Sequence, residues 1–423
     1  MHVLLHYKQF ELLMKIFLYN SLILILLPVF MTRIFFKSIK DKDYIRNFFN
    51  RFGIYKTNLS EEFLWFHAVS LGEVIGSKSI LKNLLKDHSV VLSVSTPTGY
   101  REAKKIYKND IEIVFAPWDF YLFVLLFIKK FKPKALILFE TEIWPTIIFM
   151  LNSRKIPIIL SNARLSESSY KNYSFLKFFF KGIFKMLTLV LAQTERDKIR
   201  FGKMGISNEK LKTVGSAKFD SEILRFQNTQ FDEKFILATS THEGEEQIII
   251  DSFENLQNEF PDIKLVLVPR HPERCSSVAK LFSKKDIPYE IFENIPQEFK
   301  NKDAFIIKST GVLNQLYSIS QISFVGGSLI DKYGGHNIIE PAANKCSFIV
   351  GPYMKNFEGI IDLFIEKNAC IVANSSKELT NAFASLLKNN ELRQNMIHNA
   401  LSVVEENKGA SNKQLRLISE LLY

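Results

Sequence analysis

The chain has little cysteine. Its three, Cys275, Cys346 and Cys370, are an odd number and show no CxxC spacing. Neither a disulfide framework nor a thiolate metal site can be assembled from them, and they read as reduced, buried thiols of a cytosolic compartment. Also missing are RNA-binding, zinc-finger and helix-turn-helix patterns, and internal repeats. Nucleic acid is therefore the partner class with the least support, and none is expected. No small-x-small cleavage site follows the apolar N-terminal run, which argues against a removed signal peptide. His67, His242, His271 and His336 stand in separate stretches without ligand spacing. They are expected to make hydrogen bonds and to hold no metal.

What is present is apolar and basic. An apolar content of 47% over 423 residues is more than one ordinary core absorbs, so two domains are expected. The net charge of +11 suits an anionic membrane surface or an anionic substrate. From Ile16 to Thr32 the chain carries no charge; as a helix this run is about 25 Å long, at the short limit for a bilayer. Lys15 precedes it, and Arg33, Lys37, Lys40, Lys42 and Arg46 follow. That asymmetry puts the bulk of the chain on the cytoplasmic side. Residues 1–46 are thus expected to be a membrane anchor with a basic flank, contributing no catalytic group. A spanning helix, an interfacial helix and a helix packed on the protein all fit.

Beyond the anchor, apolar runs alternate with helical stretches: Phe63–Phe66, Val90–Val94, Ile111–Phe115, Ala135–Phe139, Ile156–Leu160 and Leu187–Leu191. This alternation predicts a parallel sheet flanked by helices. Polar motifs directly follow the strands, on the edge where α/β ligand sites form. In the stretch Phe175–Leu187, Lys177, Lys181 and Lys185 share one helical face beside phenylalanines, as on a lipid-facing helix or on a solvated face over a core face. Residues 221–232 are polar and read as a linker. A second series follows, with strands at Phe235–Ala238 and Lys264–Val268, and then Ile322–Val325, the glycine pairs Gly326-Gly327 and Gly334-Gly335, a helical stretch Ile338–Ala343, and Ser347–Val350. Strand, glycine loop, helix, strand is half of a doubly wound sheet. Glycine permits close approach, and free N–H groups at a helix start attract anions, so a phosphorylated or nucleotide-like ligand is expected there. The segment Glu391–Leu422 reads as helical and closes the chain.

HAVSLGE, TPTG, FAPWDF, ETEIWP, NARLSE, AQTERD, GSAKFD, STHEGEE, PRHPER and FVGGSLIDKYGGHNIIEPA occur in this order along nearly the whole chain. In this succession they resemble the bacterial 3-deoxy-D-manno-octulosonic acid (Kdo) transferases. The resemblance implies an α/β protein of the GT-B type, two facing Rossmann-like domains behind a short N-terminal hydrophobic anchor helix. The implied boundaries are 1–46 for the anchor, 47–220 for an acceptor-binding domain, 221–232 for the linker and 233–423 for a CMP-Kdo-binding domain that includes the closing helices. It implies inverting transfer of Kdo from CMP-Kdo to a lipid A precursor at the cytoplasmic face of the inner membrane, without a cofactor. By position, Glu73 matches the general base, and Glu140 and Lys218 match residues that stabilise the transition state. Pro269, Arg270, Thr310, Gly311, Val312, Asn337, Ile338, Ile339 and Glu340 match the CMP site. The sequence departs from the family at Val312, where a glutamate is usual, so a side-chain carboxylate contact to the donor is lost.

The residues agree with this chemistry on their own terms. An inverting transfer needs one carboxylate to take the acceptor proton, and cations with N–H donors to hold the departing phosphate. Two other readings keep part of the pattern. Another GT-B nucleotide-sugar transferase or epimerase would share the glycine loops and Glu340, but not HAVSLGE together with ETEIWP. A catalytically silent, membrane-bound nucleotide-binding protein would fit Val312, but not the intact carboxylates.

Overall fold

The structure is a computed structural model that describes residues 2–57, 62–220, 234–309 and 311–422, with side chains from Phe10 onward. The expected linker, 221–232, lies outside the described residues. The chain forms two compact units, Met1–Ser221 with Lys408–Tyr423, and Glu222–Asn407.

The first unit is built on β1 (Phe63–His67), β2 (Val90–Val94), β3 (Glu112–Phe115), β4 (Pro133–Phe139), β5 (Ile158–Ala163), β6 (Leu189–Ala192) and β7 (Leu211–Thr213). All pairs are parallel, in the order β3-β2-β1-β4-β5-β6-β7. The central strands are buried along their whole length because helices cover both faces, which is why they read as unbroken apolar runs. On one face Trp65 stacks on Phe127 at 4.0 Å and donates its indole N–H to Ser93 Oγ. Strand order reverses between β1 and β4. A doubly wound sheet opens its ligand crevice at such a switch point.

The second unit repeats the plan with β8 (Phe235–Thr241), β9 (Lys264–Pro269), β10 (Tyr289–Phe292), β11 (Ala304–Ile307), β12 (Ile322–Val325), β13 (Ser347–Val350) and β14 (Ile371–Val372). The order is β10-β11-β9-β8-β12-β13-β14, again parallel, with its switch point between β8 and β12. Strands β7, β10, β11 and β14 are not anticipated from the sequence. Three of them, β7, β10 and β14, are edge strands whose side chains are only partly buried, so their apolar signal is weak.

Three helical stretches differ in extent from the sequence reading. The N-terminal helix is far longer than its uncharged run: it spans His2–Lys40 with Pro28 inside. It also packs on the first unit. Leu12 touches the core, Ile16 and Asn20 are buried, and Tyr19 lies 5.8 Å from Phe179. Asn20 donates to Thr146 Oγ1 at 3.0 Å and accepts from the Tyr121 N–H at 2.7 Å. Farther along, Phe30 sits 6.2 Å from Trp118. The opposite face, with Phe17, Leu18, Ile25, Val29, Phe35 and Phe36, is exposed. The stretch Phe175–Leu187 contains the end of one helix, Glu167–Phe175, and a second, Lys177–Lys185. Its three lysines are exposed over an inward Phe184, the solvated-face arrangement, while Phe175 and Phe178 also face outward. The closing segment is likewise two helices, Asn390–Glu406 and Ala410–Leu422, interrupted at Gly409 with φ +88°. Only the former stays with the second unit. The latter packs on the first, where buried Gln414 accepts from Ser161 Oγ at 2.7 Å and the Asn162 N–H at 2.8 Å.

Candidate active site

In the first unit, β1 ends at His67 and the helix Leu71–Gly76 begins three residues after it, capped by Ser70, whose Oγ accepts from the Glu73 N–H. The capping glutamate turns back on this start. Glu73 Oε2 accepts from the Val69 N–H at 2.8 Å and Oε1 accepts from Ser70 Oγ at 2.9 Å. Among the described residues no ion pair to this carboxyl is formed. Burial raises its pKa from 4.5 to about 7; the Glu140 charge pushes the same way, while the two hydrogen bonds and Lys218 oppose it.

Across the switch point, β4 hands the chain to Glu140, whose φ of +62° is a left-handed conformation. For a non-glycine residue that costs on the order of 1–3 kcal/mol, of the kind found where a side chain must be aimed. Its carboxylate meets Lys218 Nζ at 3.1 Å. Lys218 is presented by the short turn Ala217–Asp220, and that turn is held from two sides. Asn162 Oδ1 accepts from the Ala217 N–H at 2.9 Å, and the Asp220 carboxylate accepts from the N–H groups of Gly409 and Ser411. The structure thus gathers Glu73, Glu140 and Lys218 at one sheet edge. It adds Glu142, which the ETEIWP stretch contained but sequence reasoning did not assign. Burial, followed by the Glu73 charge, raises Glu142 to about 8, and it lies beside Trp144. The positioning residues Asn162 and Gln414 were also missed, since nothing local marks them.

In the second unit, Pro269 ends β9 and Arg270 follows it, its N–H donating to Thr241 O at 3.0 Å and its side chain exposed. Glu340 accepts from Asn337 Nδ2 at 3.0 Å, while Asn337 Oδ1 accepts from the Ile339 N–H. Ile338 and Ile339 are buried core residues. Burial raises the Glu340 pKa, and the Arg270 charge acts against it, so the two sit within electrostatic reach. Gly311 has φ +81° and open space where a Cβ would stand; Val312 caps the helix Leu313–Ile319 and packs partly into the core. Thr310 lies outside the described residues.

The glycine loop behaves differently from expectation. The N–H groups of Gly327, Ser328 and Leu329 donate to the carboxylate of Glu245, at 2.7, 2.9 and 2.9 Å, and the His242 N–H donates to it as well. Those donors are taken internally, so they do not await an anionic ligand. The glycines serve close approach: a Cβ on Gly327 would stand 2.7 Å from His336, and one on Gly335 2.4 Å from Met354. Glu245, wholly buried, sits in the STHEGEE motif without a local sign of this role. The loop histidines also converge more than their spacing suggests. His242 stacks on Tyr333 at 4.0 Å, and its Nε2 is 2.8 Å from Nε2 of His336. Burial and neighbouring cations hold both well below the usual range, at about 4 and about 3, so they are neutral near pH 7. His67 is in the first unit, with Nδ1 2.7 Å from Ser93 Oγ. Among the described residues no three His, Cys, Asp or Glu side chains converge as a metal site.

This arrangement was compared with known proteins. A family model described as 3-Deoxy-D-manno-octulosonic-acid transferase (kdotransferase) matches residues 46–221. The 3-deoxy-D-manno-octulosonic acid transferase of Haemophilus influenzae is 34% identical over 96% of this chain and 98% of its own length. That of Rickettsia bellii is 31% identical over 95% and 99%. Among solved structures, a UDP-N-acetylglucosamine 2-epimerase aligns with 86% of this chain and 96% of its own, at a TM-score of 0.58 and 13% identity, a likeness of fold alone. With two doubly wound parallel sheets, the motifs in sequence order and full-length relatives at this identity, the chain belongs to the Kdo transferase family and is a glycosyltransferase of lipopolysaccharide biosynthesis.

Proposed function

We propose that the chain transfers Kdo from CMP-Kdo to a lipid A precursor with inversion, at the cytoplasmic face of the inner membrane. The observation that carries this reading is the buried Glu73, its pKa raised, next to the Glu140–Lys218 pair. An acceptor hydroxyl is far too weak an acid to ionise alone at neutral pH. As its oxygen bonds to the anomeric carbon of Kdo, its proton passes to the Glu73 carboxylate. The bond from that carbon to the CMP phosphate breaks, and its electron pair leaves on the phosphate. A base with a pKa near 7 suits this step, because near neutral pH a large share of it is ionised and it is still basic enough to hold the proton. Glu140 and Lys218 are read as stabilising the transition state, Lys218 by its positive charge and Glu140 by orienting it.

The donor is assigned to the second unit. Arg270 is the cation for the phosphate or the sugar carboxylate, and Glu340, oriented by Asn337, is the acceptor for ribose hydroxyls. Pro269, Ile338 and Ile339 shape the backbone there, and Thr310, Gly311 and Val312 form the remaining loop. At Val312 only backbone contact is available, and Val312→Glu should leave CMP affinity equal or tighter.

Membrane attachment is assigned to the outer face of the N-terminal helix. That helix is long and apolar enough to cross a bilayer, with 11% of its most apolar window buried. Its inner face is held along the first unit by Lys15, Asn20 and Phe30. A helix bound lengthwise to a folded unit suits an interfacial position with the unit beside it.

The test is incubation of the full chain in detergent with CMP-Kdo and tetraacylated lipid A precursor, with products read by mass and anomeric configuration by NMR. Release of CMP with one or more Kdo residues on the lipid, inverted at the anomeric carbon, is expected. An unaltered lipid, or a retained configuration, would refute the reading.

A further inference from the structure

A cavity of about 390 Å³ lies on the same edge of the first sheet, and the steps above do not use it. Its lining comes from the loops after β1 to β4, from the N-terminal helix, and from the short turns Lys42–Tyr44 and Phe48–Phe52, which supply Tyr44 and Arg51. Three of the lining residues are cations, Arg33, Lys37 and Arg51, and no aspartate or glutamate lines it. Arg51 is 4% exposed. Its guanidinium lies over the Phe115 ring at 4.5 Å; among the described residues its one hydrogen-bond acceptor is Ser95 O, at 3.5 Å, and its Nε has none. Burial pulls its pKa down to about 10, so it is still charged at neutral pH. A buried cation without an anion is costly, and a ligand anion would offset that cost. The buried Nε2 of His67, also in the lining, has no partner either. Trp118 and Trp144 supply apolar faces of the kind that hold a saccharide ring. Val69 belongs to the wall, and its N–H holds the Glu73 carboxylate, so the cavity adjoins the base.

We propose that this cavity is the acceptor's headgroup subsite: it takes a phosphate monoester carried on the saccharide of the acceptor glycolipid, with Arg51 as the buried cation and Arg33 and Lys37 reaching it from the N-terminal helix. The acceptor part rests on the function proposed above; the anion site does not. The helix then has two roles on two faces, since its apolar outer side meets lipid while its basic end helps to hold the headgroup. The same phosphate chemistry is offered by a free phosphate and by a phospholipid headgroup, and the test separates them.

Transfer by the full chain in neutral detergent is measured on the phosphorylated acceptor and on its dephosphorylated form. Wild type should prefer the former by tenfold or more in kcat/KM. The double variant Arg33→Ala/Lys37→Ala changes two exposed positions and should fold. It should raise the KM for the phosphorylated acceptor tenfold or more and reduce the preference to about one, with the KM for CMP-Kdo unaltered. Arg51→Gln should act in the same direction, and Arg51→Lys should restore part of the preference. A preference kept by the double variant overturns the proposal. So does a wild type that uses both acceptors equally and is inhibited by phosphatidylglycerol but not by inorganic phosphate, because the cavity would then serve phospholipid headgroups. Calorimetry with glucosamine 1-phosphate reads the anion site apart from turnover. Binding that is lost in the double variant supports the site even if no acceptor is used, and no binding by wild type refutes it.

Discussion

For Glu73 the proposed role as base and the cost to stability pull in opposite directions with pH. Its pKa is raised from 4.5 to about 7, so between those values the folded state holds a proton that the unfolded state has released. Its contribution to stability is therefore full below about pH 4.5 and lost as pH rises through about 7. Activity runs the other way, because only the ionised form accepts a proton. The acid limb of kcat/KM should fall near pH 7, and Glu73→Gln should lose transfer by roughly 10²–10⁴ while binding CMP normally. The glutamine keeps the bond from the Val69 N–H but carries no charge. At pH 8 the variant should be more stable than wild type by on the order of 1–3 kcal/mol, and at pH 4.5 the two should melt alike. A variant with nearly full turnover would shift the base assignment to Glu140. Glu245 is the counterpart in the second unit, with four N–H groups depending on it. Glu245→Ala should destabilise that unit by on the order of 3 kcal/mol, the scale for stranding several buried donors. Hydrogen exchange should accelerate at Gly327–Leu329, and unchanged protection there would refute the role.

At the scale of elements, two terminal helices complete the first unit. The N-terminal one is part of the fold, since Asn20 satisfies the Tyr121 N–H and reaches Thr146 in the first turn of the helix Pro145–Asn152. Asn20→Ala should cost about 1 kcal/mol, because it removes the partners of a part-buried N–H at Tyr121 and of Thr146. A protein starting near Asn47 should lose thermal stability in detergent as well as membrane binding; if it melts like the full chain, the packed face contributes nothing. The last helix reaches the site through Gln414 and the Asp220 turn. Gln414→Ala should loosen the strand end at Asn162 and lower kcat by moving Lys218, with the KM for CMP-Kdo little changed. Steady-state kinetics of both substrates checks this.

At the scale of the whole molecule, the proposed membrane attachment would draw on the charge of +11 and on the apolar outer face of the N-terminal helix, which act over different ranges. The charge term is screened within about 8–10 Å at physiological salt, whereas apolar insertion is not screened. Binding to phosphatidylglycerol vesicles should therefore weaken with salt but persist. Phe17→Ser/Ile25→Ser/Phe36→Ser, all at exposed positions, should abolish the salt-resistant part in a flotation assay. If high salt alone removes the protein, attachment is electrostatic and the apolar face is idle.

The sequence by itself determined the strand cores, the succession of α/β units, the family and the chemistry-bearing motifs. These are local signals: Val90–Val94, Ile322–Val325 and Ser347–Val350 are apolar because both faces of a parallel sheet are covered, and that shows in one dimension. Tertiary structure decided what depends on residues far apart. Glu73 lies 67 residues before Glu140 and 145 before Lys218 in chain numbering, and only the reversal of strand order at β1 and β4 makes them neighbours. The glycine loop looks like an anion cradle until Glu245, 82 residues earlier, takes its first N–H. The helix Ala410–Leu422 follows the second unit in sequence yet packs on the first, because Gln414 and the Asp220 turn provide its polar partners there. The N-terminal helix is long and apolar enough to cross a membrane. Which of its faces meets protein was set by Asn20, a single polar residue whose partners are 101 and 126 positions away.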